Sequence, residues 1–169
     1  MKKAVTLLLI FATIFALFGC KQNPKIEDNN VVFYFRTAET TFGTNDGIFA
    51  TESRNVPSRD EQSVLKVYLK GPKSENLRSP FPENIALDNY VSGPARTTLV
   101  LSEHISQLPD HELTIACACI AKTVFDLTDT RSVEIKSDAG LIGGMQSIVL
   151  IRNNLIIYDD YFSSSKDAP

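Results

Sequence analysis

Tryptophan is missing from this 169-residue chain, and histidine and methionine occur twice each. Carbohydrate grooves often stack sugars on Trp, so its absence argues against a dedicated carbohydrate module, although five Tyr and ten Phe supply other aromatic surface. Lys and Arg never cluster into a basic block and the net charge is −3, so nucleic acid is not an expected partner. Phosphate-cradling loops are lacking too. Gly140 and the Gly143-Gly144 pair are not followed by the Lys and Ser/Thr such loops need. The acidic pairs Glu27-Asp28 and Asp159-Asp160 have no spaced set of oxygen ligands around them and read as solvated turn or tail. No metal or cofactor is expected.

What the chain does have is concentrated first at its amino end. Lys2 and Lys3 precede residues 4–18, AVTLLLIFATIFALF, which are apolar apart from Thr6 and Thr13. Basic, apolar and small residues in that order make a secretory leader. Fifteen residues fall short of the roughly 20 that cross a bilayer as a helix. Leu17-Phe18-Gly19-Cys20 then resembles the bacterial lipobox. The resemblance implies cleavage before Cys20 and acylation of its thiol, giving a lipid-anchored protein on the extracytoplasmic face of the cell membrane. An ordinary leader with an incidental Cys, or an uncleaved anchor, are the competing readings. Loss of Lys2 and Lys3 would move the charge from −3 to −5, and acyl chains at about 0.8 kcal/mol per buried methylene would hold the chain without a polybasic patch.

The division along the chain is therefore a leader at 1–19, the lipidated Cys and a tether at 20–30, a domain at 31–160 and a flexible tail at 161–169. The tether KQNPKIEDNN spans at most about 35 Å. Within the domain, Val31 to Arg36 reads as a strand, and Gly47 to Thr51 as a second, short one. Ser58 and Glu61 make an S-x-x-E capping box ahead of Val64, Leu65, Tyr68 and Leu69 at helical spacing, and Gly71-Pro72 stops that helix. Residues 73–84 form a loop. Ile85–Val91 and Arg96–Ser102 are strands across a Ser92-Gly93-Pro94-Ala95 turn, with Leu99 and Leu101 on one face. A second helix runs from Pro109 to about Leu127, with Asp110 and Glu112 in its first turn. Arg131–Lys136 is a strand ending at the Asp138-Ala139-Gly140 turn. Ile148–Ile151 and Leu155–Tyr158 form a hairpin across Arg152-Asn153-Asn154. These elements predict an α+β domain, two helices packed on one face of a largely antiparallel sheet.

Residues 69–82, LKGPKSENLRSPFP, resemble the GerM-type (GerMN) domain of sporulation and germination lipoproteins: a Leu-x-x-Gly-Pro helix stop, a spacer and a Pro-containing turn, here Gly71, Pro72, Ser79, Pro80 and Pro82. Leu99-Val100-Leu101-Ser102-Glu103 is similar to the strand that leads into the family's second helix, and residues 129–140, DTRSVEIKSDAG, to its closing strand and turn. The similarity covers a core at 31–140, in a single copy, with the 148–158 hairpin as an addition. It implies a non-catalytic domain like the ring-building folds of envelope-spanning assemblies, which associate with themselves or with other envelope or sporulation proteins. The alternative function is an accessory domain for wall polymer or a small ligand.

Catalytic residues are not expected. Ser102-Glu103-His104 lacks an oriented nucleophile and an oxyanion site, and Glu103 on a strand would point away from its neighbours. Cys117 and Cys119 lie about 200° apart on a helix, so they can neither bridge nor share an ion. Cys117 joins Leu113, Ile120 and Val124 on an apolar stripe. Ile115 and Cys119 fall on the opposite side. That outward face is expected either to present a protein contact, with Cys119 available for an intermolecular disulfide, or to be covered by residues 37–57 or the final hairpin.

Overall fold

The computed structural model describes residues 29–38 and 48–155. Its strands fall into two sheets. In the first, β1 (Asn30–Thr37) pairs antiparallel with β2 (Phe49–Asn55) along its whole length, and with the two-residue β3 (Leu77–Arg78) at one end. Alternation fixes the faces of β1, because successive side chains of a strand point opposite ways. Val31, Phe33 and Phe35 are buried, whereas Val32 is 37% exposed. The second sheet has the order β4 (Leu87–Val91), β5 (Thr97–Leu101), β6 (Ser132–Ser137) and β7 (Ile148–Ile151). Thr97, Leu99, Leu101, Val133 and Ile135 make its buried face.

The α+β class holds, with two helices among the described residues, but the strands divide between two sheets and β5 pairs with β6 in parallel. A parallel pair needs a long crossover. The short 3-10 turn at Glu103–Gln107 and α2 (Asp110–Leu127) supply it. Ile148–Ile151 is a strand as expected, but it pairs antiparallel with β6 across residues 138–147. The second arm expected at 155–158 lies outside the described residues beyond Leu155, and Arg152–Asn154 form a 3-10 turn. Gly143 is required in the 138–147 connection. Its φ is +55°, and a Cβ there would lie 2.9 Å from Leu113 Cδ2.

The first helix, α1 (Glu61–Tyr68), starts two residues later than a Ser58 cap would set it. Asp60 is the N-cap, and its carboxylate accepts from the Ser63 N–H at 2.9 Å. Ser58 Oγ accepts instead from the Asp60 N–H. The helix ends as its sequence requires, with Gly71 at φ +89° just before Pro72. Val64, Leu65 and Tyr68 face inward. Tyr68 lies at the centre of an aromatic cluster. Its ring stacks on Phe33 at 5.4 Å between centroids and meets Phe81 edge-on at 5.3 Å.

Helix α2 is buried on more than one side. Leu113, Cys117, Ile120 and Val124 are enclosed, and so are Ala118, Cys119 and Thr123. A helix with a broad apolar surface packs against more than one layer, and the alanines at 116, 118 and 121 let its neighbours approach. One side of α2 closes the open edge of β1. Thr123 Oγ1 accepts from the Tyr34 N–H at 3.1 Å, while the Tyr68 hydroxyl donates to the Tyr34 carbonyl. Two side chains thus satisfy backbone groups that a neighbouring strand would otherwise take. At the far end, the Arg152 guanidinium donates to the Thr128 and Thr130 carbonyls and lies 4.8 Å over the Phe125 ring. It places a cation at the negative end of the α2 dipole.

Candidate functional site

The last turn of α1 and the proline turn after it fold into two sides of an open cleft of about 640 Å³. Lys66, Leu69 and Lys70, at the end of α1, form one side. Ser79, Phe81, Pro82, Glu83 and Asn84 form the other, and Ile85 to Leu87 close it at the start of β4. Leu69, Phe81 and Leu87 are 7–8% exposed, so the floor is apolar but still reachable. Ser79 Oγ accepts from the Phe81 N–H at 3.1 Å, which fixes the turn between Pro80 and Pro82. Asn84 takes φ +63°, the left-handed region that Asn tolerates better than most residues. Lys66 and Lys70 stand one helical turn apart, are exposed, and form no ion pair or side-chain hydrogen bond among the described residues.

A polar node locks the helix stop to β2. The Arg54 guanidinium donates to Glu52 Oε1 at 2.5 Å and to the Gly71 carbonyl at 2.9 Å. It also lies 5.1 Å over the Phe33 ring and 5.3 Å over the Phe35 ring. Glu52 Oε2 accepts from the Lys73 and Ser74 N–H groups. The hydrogen bond from Arg54 is the main cause that holds the Glu52 carboxyl below its ordinary pKa; the two backbone donors add to it and partial burial opposes it. Arg54 is 8% exposed, a burial that a charged side chain tolerates only with partners of this kind.

The sequence-derived candidates fare differently. Cys20 lies outside the described residues, as do Glu27-Asp28 and Asp159-Asp160. The expected outward face of α2 is corrected at Cys119. Its side chain is fully enclosed, with Arg36 and the Tyr68 phenol among its neighbours, and Ile115 is half-buried. Periodicity assumed one buried stripe on α2, whereas β1 and the aromatic cluster cover a second. Burial pushes both thiols up to about 12, so neither is available as a thiolate for an intermolecular disulfide. Ser102 Oγ lies 3.3 Å from His104 Nδ1, but the same oxygen accepts from the Ala86 N–H at 3.0 Å and so serves as a strand tether. Residues 103–107 are 3-10 helix rather than strand. His111 is exposed, 3.9 Å from Glu112. Among the described residues no His, Cys, Asp and Glu gather in a metal-binding group, and no helix is long and apolar enough to cross a membrane.

Sequence reasoning missed the cleft altogether. Pro80, Pro82 and the Gly71-Pro72 stop were visible as turns, but nothing local says that two turns will face each other.

Among the described residues, two helices, a three-stranded sheet and a mixed four-stranded sheet, with one helix packed against both sheets, make an α+β domain. No protein-family model and no curated protein sequence matches the chain. Among solved structures, the tandem GerMN domains of the sporulation protein GerM from Bacillus subtilis superpose with a TM-score of 0.51 at 18% identity. That superposition covers 69% of this chain and 40% of the other, so this chain spans less than half of the tandem protein. A Clostridium perfringens chain provisionally described as a lipoprotein superposes with a TM-score of 0.45 at 16% identity, over 77% of this chain and 93% of its own. The fold expected from the resemblance at residues 69–82, 99–103 and 129–140 is the fold observed.

Proposed function

We propose that this protein is a lipid-anchored, non-catalytic interaction domain on the outer face of the cell membrane, acting in envelope or spore assembly or in germination. The GerMN fold carries the reading. A domain of this type is found in a sporulation protein, and no acid–base–nucleophile set is assembled among the described residues. The leader and Leu17-Phe18-Gly19-Cys20 support export and acylation at Cys20. Association with its own copies or with other envelope proteins is supported by β7, the outer strand of its sheet among the described residues, whose Val149 and Ile151 are 43% and 49% exposed.

Two measurements test this. Mass spectrometry of the native protein should find diacylglycerol on Cys20, and Cys20→Ala should release the chain from the membrane fraction. Sedimentation of the soluble domain over a range of concentrations, with co-purification of neighbouring envelope proteins, should show association. A monomer that captures no envelope protein rules out the scaffolding role while leaving the anchor intact.

A further inference from the structure

We propose that the cleft between α1 and the proline turn binds a phosphodiester-linked polyol, one phosphate between Lys66 and Lys70 and the organic body against Leu69, Phe81 and Ile85. The inference goes beyond the scaffolding role and does not depend on it.

Three observations converge. A volume of about 640 Å³ lies in the range of small-ligand sites, roughly 300–1,000 Å³, which are apolar with a few placed polar groups. The two lysines are exposed and form no close ion pair among the described residues, although the Asp60 carboxylate lies within Coulombic reach of Lys66. They sit at i and i+4, where side chains of a helix are neighbours, so their ammonium groups can converge on one anion. Lysine acts as a point charge, which suits a tetrahedral phosphate; a planar carboxylate is better matched by the fork of arginine. The apolar floor then needs an organic body, which inorganic phosphate lacks.

Glu83 stands on the opposite lip. It is exposed and has no ion-pair partner among the described residues. Its charge confines an anion to the α1 side and opposes a second phosphate close by. The same acid disfavours a flat, densely anionic bilayer, which in any case cannot enter a concave cleft. A flexible soluble chain with spaced phosphates fits both constraints. Pro80, Pro82 and the Ser79 tether restrict the backbone of one wall, which lowers the ordering cost of binding.

The test uses the soluble domain and calorimetric titration with glycerol-phosphate oligomers. Saturable binding that weakens with salt is expected. Lys66→Gln with Lys70→Gln should lower affinity about tenfold. Glu83→Gln should raise it. All three positions are exposed, so an unchanged thermal midpoint verifies folding of the variants. Equal affinity for inorganic phosphate, binding to phosphatidylglycerol vesicles without binding to oligomers, or affinity unaltered in the double variant each overturns the proposal. None of these results bears on acylation or self-association.

Discussion

Replacing Arg54 by Met removes the guanidinium and keeps an unbranched stem, so it isolates the polar node beneath the helix stop. Three contributions disappear together. The charge-assisted hydrogen bond to Glu52 contributes about 1.5–3 kcal/mol, the one to the Gly71 carbonyl about 1 kcal/mol, and the contacts over Phe33 and Phe35 about 0.5–1 kcal/mol each. They share one group and are not additive, and Met recovers part of the packing. The net loss should be about 3 kcal/mol, within the range for breaking a largely buried pair. In urea, with a slope of about 1.5 kcal/mol/M, the midpoint should fall by about 2 M. The node also has a pH signature. Because the folded-state pKa of Glu52 is lowered, its stabilisation is complete above the unfolded value, 4.5, and is lost as pH falls through the lower folded value. Arg54→Met and Glu52→Gln should both flatten that acid limb, and the double variant should lose less than the sum of the two. A loss under about 1 kcal/mol, or an acid limb unaltered in both variants, would refute the role given to the node.

Other consequences of the packing can be measured directly. Thr123→Val keeps the shape of the side chain but leaves the Tyr34 N–H without its acceptor, so about 1–2 kcal/mol should be lost and the Tyr34 amide should exchange faster. Arg152→Ala uncovers the Thr128 and Thr130 carbonyls at the end of α2, costing about 1–2 kcal/mol; equal stability in urea would remove Arg152 from the account of that terminus. Cys117 and Cys119, with thiols pushed up to about 12, should resist a disulfide reagent at pH 8 in the folded protein and react only once denaturant opens the core. Rapid labelling of the native domain would contradict their burial.

Strands, helices and turns were legible in the sequence because their signals are local. The β-branched and aromatic run at Val31–Phe35, alternation at Thr97–Leu101, helical spacing at Val64–Tyr68 and the glycines at 71 and 140 each depend on a few neighbours. Where local signals competed, the reading slipped by a residue or two, as at the α1 cap, where Asp60 holds the Ser63 N–H and Ser58 supports Asp60. The two-residue β3 was read as loop, since a pairing that short leaves no period to detect.

By itself the sequence determined the α+β class and the helix stop with its proline turn. Tertiary structure alone decided that the strands form two sheets, that β5 and β6 run in parallel, and that α2 is covered on the side where Cys119 and Thr123 lie. It also decided that Lys66 and Lys70 share a cleft with residues beyond position 80. The reason is one of range. Periodicity reports which side of an element is apolar, but not how many neighbours that element has. Those partners come from chain segments far away, and burial is settled only when they meet.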